Sequence, residues 1–98
     1  MRMLNTGAAK YRMRVLYAIK LVRLPQPTVV MVDGIMGVSW SYDNRLITIV
    51  QFPQQPSRFC CQTFVRLKTV SRQDVDLEAL DGPAQLVEFL DAMANWLA

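Results

Sequence analysis

Apolar residues recur at every second position through the middle of the chain. In "IMGVSWSY" (35–42) and "RLITIVQF" (45–52) the apolar side chains fall two apart, the spacing of a strand with one face buried. Asp43-Asn44 between them suits a two-residue turn, a connection that fixes register. Tyr42 then faces Arg45, Trp40 faces Ile47 and Val38 faces Ile49, which gathers large apolar groups on one side. "TVVMV" (28–32) reads as a short strand joined to 35–42 through Asp33-Gly34, a strong hairpin signal because Gly accepts positive φ. Gly37, inside a strand, marks a bulge or a close backbone approach.

Two further stretches read as strands. In 58–70, Phe59, Cys61, Thr63, Val65, Leu67 and Thr69 take one face, and Arg58, Cys60, Gln62, Phe64, Arg66 and Lys68 take the other. In 11–23, Tyr11, Met13, Val15, Tyr17, Ile19 and Leu21 form an uninterrupted apolar row, with Arg12, Arg14 and Lys20 on the opposite face. On a helical wheel the charges of this stretch scatter all round, so the strand reading is preferred. "LPQP" (24–27) ends it, since proline lacks the ladder N–H. Residues 1–10 lack periodicity and predict a loose N-terminal arm. "PQQPS" (53–57) is a loop, and "SRQDVDLEALDG" (71–82) a polar connection with room for one helical turn at 74–80.

The pattern changes period at the end. Leu86, Phe89, Leu90, Met93, Trp96 and Leu97 recur at helical spacing, with Gln85, Glu88, Asp91 and Asn95 on the far side. Asp81 suits the N-cap, and Pro83 falls in the first turn, where its missing donor costs nothing. The expectation is an α+β domain over 11–98. An antiparallel sheet of four to five strands (about 11–23, 28–32, 35–42, 45–52 and 58–70) carries one C-terminal amphipathic helix (about 82–97) on one face.

Composition narrows the class. A chain of 98 residues with 52% apolar and 19% charged residues makes one globular core with little room for a deep, multi-part active site. No apolar run approaches a membrane span. "MRMLNTGAAKYRMR" has no continuous apolar stretch ahead of its charges, so no export signal is read and a cytoplasmic protein is expected. Charge is unevenly laid out. All 11 Lys and Arg precede residue 74, alongside only Asp33 and Asp43, while Asp74, Asp76, Glu78, Asp81, Glu88 and Asp91 follow with no base. A basic body of this kind suits an anionic partner or the chain's own acidic segment.

Candidate chemistry is sparse. The chain has no histidine, which removes the commonest general base and metal ligand. Cys60 and Cys61 point to opposite faces of a strand and lack companions for a four-ligand metal site, so they read as reduced structural thiols with Cys61 buried. There is no phosphate loop or nucleophile elbow. No cofactor, metal site or catalytic residue is expected, and the chain is read as a non-enzyme.

The candidate binding residues are Arg12, Arg14, Lys20, Arg58, Phe64, Arg66 and Lys68. If the polar faces of 11–23 and 58–70 coincide, these form a basic surface with one aromatic inside it. Two uses follow. The leading one is a non-enzymatic protein-binding module, a stoichiometric inhibitor or regulator that docks on a larger partner with an acidic surface or adds to a strand edge. Compact, motif-free proteins used in this way include inhibitors, immunity proteins, antitoxins and phage anti-defence proteins. The alternative is a nucleic-acid binder, whose phosphates the basic face would hold and whose bases Phe64 would stack. A homodimer through an edge strand or the helix is a natural extension.

Overall fold

The computed structural model describes the backbone of residues 4–97, with side chains from residue 7 onward. Seven elements follow one another: α1 (Leu4–Val22), β1 (Thr28–Val32), β2 (Ile35–Tyr42), β3 (Arg45–Gln51), β4 (Arg58–Val65), β5 (Lys68–Asp76) and α2 (Gly82–Leu97). The strands form one antiparallel meander in the order β1-β2-β3-β4-β5. The architecture is α+β.

The central hairpins follow from their turns. Trp40 pairs with Ile47 and Val38 with Ile49, the register that the two-residue turn at Asp43-Asn44 imposes. Asp33 and Gly34 both have positive φ, as a type I′ turn requires, and Val32 pairs with Ile35. One face of the sheet is then apolar. Met36, Val38 and Trp40 of β2, Ile47 and Ile49 of β3, Phe59 and Cys61 of β4 and Val75 of β5 are all buried. Val15, Ala18 and Ile19 of α1 and Leu86, Phe89, Leu90 and Met93 of α2 belong to the same cluster.

Two sequence expectations are corrected. Residues 11–23 are not a strand, and 4–10 are not a loose arm: 4–22 form α1 and Arg23 turns the chain after it, while the first three residues of the expected arm lie outside the described region. The buried positions Ala8, Val15, Ala18 and Ile19, with Tyr11 and Val22 packed partly against the core, recur at helical intervals. The apparent alternation arose because α1 carries a second apolar row. Met13, Tyr17 and Leu21 sit four apart and stay 61–66% exposed. Interleaved with the buried row, they imitate period two.

The second correction concerns 58–70, which is split. β4 ends at Val65, Arg66 and Leu67 turn the chain, and β5 begins at Lys68, so 71–76 is strand rather than polar connection. Arg66 (φ 52°) and Leu67 (φ 68°) both lie in the left-handed region, a conformation usually given to Gly or Asn. The turn therefore carries no compositional signature. A register shift between Thr63 and Phe64 places a bulge in the β4–β5 pair.

A buried polar link joins the layers. Gln51 is fully buried, accepts the Met36 N–H at 3.1 Å, and donates to the carbonyls of Ala8 (3.2 Å) and Pro56 (2.8 Å). Among the described residues, no buried side-chain polar atom lacks a partner. Trp40 likewise uses its indole N–H, donating to the Pro25 carbonyl at 2.7 Å and holding the α1–β1 linker against β2.

Candidate docking edge

The seven basic-face candidates do not share a surface. Arg12, Arg14 and Lys20 lie on α1, in the layer that contributes to the core on the apolar side of the sheet. Arg12 donates to the Gly34 carbonyl at 2.6 Å, so it fastens α1 to the β1–β2 turn. Arg14 sits 3.9 Å from Glu78. Arg58 and Phe64 share the opposite sheet face. There Arg58 lies 3.4 Å from Asp74 and 5.3 Å from the Phe52 ring centroid, and Phe64 pairs with Leu46 and Thr69. Arg66 and Lys68 are exposed at the β4–β5 tip, where the Arg66 N–H donates to the Asn44 carbonyl at 2.8 Å.

Part of the acidic segment meets these bases. Asp74 lies within ion-pair reach of both Arg58 and Arg72. Glu78 accepts the Tyr11 hydroxyl at 2.6 Å, a bond to a carboxylate that pushes the tyrosine pKa up. Asp76 accepts the Glu78 N–H and the Ser57 hydroxyl, both at 2.9 Å, and these bonds to its charged form hold its pKa below the ordinary value. Such pairs at the surface orient loops more than they add stability.

The thiols offer little chemistry. Burial pushes the Cys61 pKa up to about 12 and also raises that of Cys60, so both are protonated and weakly nucleophilic near neutral pH. Among the described residues, no group of three or more His, Cys, Asp or Glu is placed to hold a metal ion. No described helix is long and apolar enough to cross a membrane.

What the geometry does assemble is an open edge. All five residues of β1 are exposed, although Val29 and Met31 stand on the same sheet face as the buried Val38 and Met36 opposite them. Val29 is 44% exposed and Met31 48%, so the helical layer stops short of this strand. Beside it runs a groove of about 630 Å³ whose walls include Met13, Tyr17 and Lys20 of α1, Leu24 and Pro27 of the linker, and Val29. A second depression, of about 450 Å³, continues past the start of β1, where β2 extends beyond it at Trp40–Tyr42.

The two sheet edges are built differently. β5 carries Lys68, Arg72 and Asp74 and faces the bulge, devices that discourage pairing with another chain. β1, "TVVMV", has no charge, no proline and no register shift against β2. In a two-residue hairpin the closing pair exchanges hydrogen bonds, so Val32, Val30 and Thr28 turn their backbone groups toward β2. Val29 and Met31 therefore turn theirs outward, the spacing that a docked strand would use.

The sequence predicts a strand at 28–32, while its charge pattern points to the basic residues rather than to this strand as the candidate surface. The usable signal was present: an uncharged β-branched run next to a helix with more apolar residues than its core face needs. Comparison of the chain with protein-family models, with curated proteins and with solved structures finds no match.

Proposed function

We propose that this chain is a non-enzymatic protein-binding module and that its contact is strand addition at β1. The observation that carries the reading is the undefended β1 edge beside an apolar groove, at the opposite end of the sheet from an edge that is defended. An extended segment laid along β1 would use the outward backbone groups of Val29 and Met31. Its alternate side chains would enter the groove between α1 and the strand. Lys20 on the groove wall favours a segment with acidic flanks. Occupying such a segment is a means of blocking or regulating a larger partner without chemistry, and the absent histidine and protonated thiols are in keeping with it.

The nucleic-acid alternative draws less support, because its basic residues are divided between two faces and a hairpin tip, and Arg12 and Arg58 have internal partners.

Selection of a displayed random-peptide library on the immobilised chain tests the proposal. Peptides with alternating apolar residues and acidic flanks should enrich. Met31→Pro, which removes an outward N–H while leaving the β2 ladder its own donors, should abolish the enrichment. No enrichment on chains immobilised sparsely enough to stay monomeric, or enrichment indifferent to that change, would overturn the reading.

A further inference from the structure

Resting on the reading of β1 as the docking edge, we propose that in the free protein this edge is closed by the β1 strand of a second copy. The two strands run antiparallel about a two-fold axis at Val30.

The backbone sets the register. With Val30 opposite Val30 of the second copy, Val29 faces Met31 and Met31 faces Val29. These two residues are the ones that turn their backbone groups outward. The pairing therefore forms two hydrogen-bonded pairs, and the axis passes through a non-hydrogen-bonded pair between them. A two-fold contact must be self-complementary, and the uncharged, uniformly apolar β1 is complementary to itself in this register.

The helices extend the contact. Arg12 bonds to Gly34 beyond the end of β1, while Lys20 shares the groove with Pro27 and Val29 at its start, so α1 runs antiparallel to β1. Across the axis the exposed groove residues Met13 and Tyr17 meet the same pair of the second copy in reverse order, covering both grooves. Those two side chains with Val29 and Met31 are 44–66% exposed. They offer roughly 450 Å² per copy, or about 900 Å² for the pair, and backbone and rim bring the contact to the size at which specific interfaces begin.

Charge agrees with the same register. Asp33, one residue past β1, falls opposite Pro27 of the second copy and beside that copy's Lys20, and the relation occurs twice by symmetry. The assembly also closes. The ten-stranded sheet ends at two β5 edges, each carrying Lys68, Arg72, Asp74 and the bulge, so pairing stops at two copies rather than propagating.

Sedimentation velocity over a wide concentration range, with disulfide trapping, tests the proposal. The unmodified chain should sediment as a dimer that dissociates on dilution. Tyr17→Glu, at an exposed helix position whose replacement leaves the core intact, and Met31→Pro should each weaken it by about tenfold or more, as loss of a central contact does. Lys20→Glu should weaken it several-fold, and adding Asp33→Asn, which suits the same turn, should recover part of the loss. Val30→Cys should give a disulfide-linked dimer on mild oxidation, whereas Thr28→Cys and Val32→Cys should not. Cys60 cannot intercept that thiol within one chain, because it lies three strand spacings away, about 14 Å.

A chain that stays monomeric throughout, yet selects apolar peptides in a Met31-dependent way, overturns the second-copy assignment and leaves the docking edge standing. A dimer that survives both Tyr17→Glu and Met31→Pro, with no peptide selection, overturns both. Trapping at Thr28 or Val32 instead of Val30 overturns the register.

Discussion

The side-chain carbonyl of Gln51 accepts the backbone N–H of Met36 at 3.1 Å, inside the core and across the β2–β3 pair. The same amide donates to Ala8 on α1 and to Pro56 in the β3–β4 loop, so one polar residue ties together the helix, the sheet and a connection. Gln51→Leu keeps the volume but strands a donor and removes two acceptor contacts. A buried unsatisfied group costs about 1–3 kcal/mol, so a loss of about 2–3 kcal/mol is expected. Urea denaturation should show a lowered midpoint. Gln51→Glu should also lower it, since a carboxylate cannot donate to the Ala8 and Pro56 carbonyls.

Gly82 opens α2 against the end of β5. A methyl group added there would run into the Asp76 carbonyl, within 2.7 Å of its carbon and 3.2 Å of the Leu77 Cα. Both obstacles are backbone and cannot swing aside. Gly82→Ala should therefore destabilise the fold by about 2 kcal/mol or more despite alanine's better helix propensity, because relief requires moving α2 or the 76–81 turn. Pro83→Ala, one position on and exposed, is the control and should change the urea midpoint little.

Legibility followed local rules. The β2–β3 hairpin could be read to the residue because its alternation and its turn residues agree. The C-terminal helix could be read because its apolar stripe, its N-cap position and Pro83 agree. α1 was hidden by its own surplus: Met13, Tyr17 and Leu21 filled the gaps between buried positions and produced a false alternation. The β4–β5 turn was hidden because Arg66 and Leu67 adopt a conformation that neither prefers. The signal for the candidate surface was masked for the same reason as α1, since it can be read only once 11–22 is known to be a helix. Exposed apolar residues look like core until the topology shows that no element covers them. The basic face failed differently, since it needed 11–23 to be a strand and its residues dispersed once that segment became a helix.

The thiols predict both reactivity and an alkaline limit. In the folded chain Cys60, half-buried, should be alkylated before the buried Cys61, and both slowly relative to the unfolded chain. Burial raises the Cys61 pKa from 9.0 to about 12. The folded state thus favours the neutral thiol more than the unfolded state does. Its contribution is whole below the ordinary thiol value and is lost as pH rises through that value toward about 12. Comparing urea midpoints near neutral pH and well above the ordinary thiol pKa, the unmodified chain should lose more stability on the alkaline side than Cys61→Ala does. Equal losses would show that Cys61 ionises as easily folded as unfolded.

The Arg66-Leu67 turn should be improvable. Both residues occupy the left-handed region, at about 1–2 kcal/mol each for an ordinary side chain. Leu67 is 89% exposed, so removing its side chain forfeits almost no burial. The Arg66 contact to Asn44 is made by backbone and survives substitution. Replacing the pair by Arg66→Asn with Leu67→Gly supplies the residues that a two-residue hairpin turn prefers. Glycine's extra freedom in the unfolded chain offsets part of the gain, leaving about 1 kcal/mol of net stabilisation. The check is a raised urea midpoint at unchanged slope. The same variant removes a basic candidate from the tip farthest from β1 along the strand order, so peptide selection at the β1 edge should persist undiminished. Loss of selection in this more stable protein would move the docking surface from β1 to the β4–β5 tip.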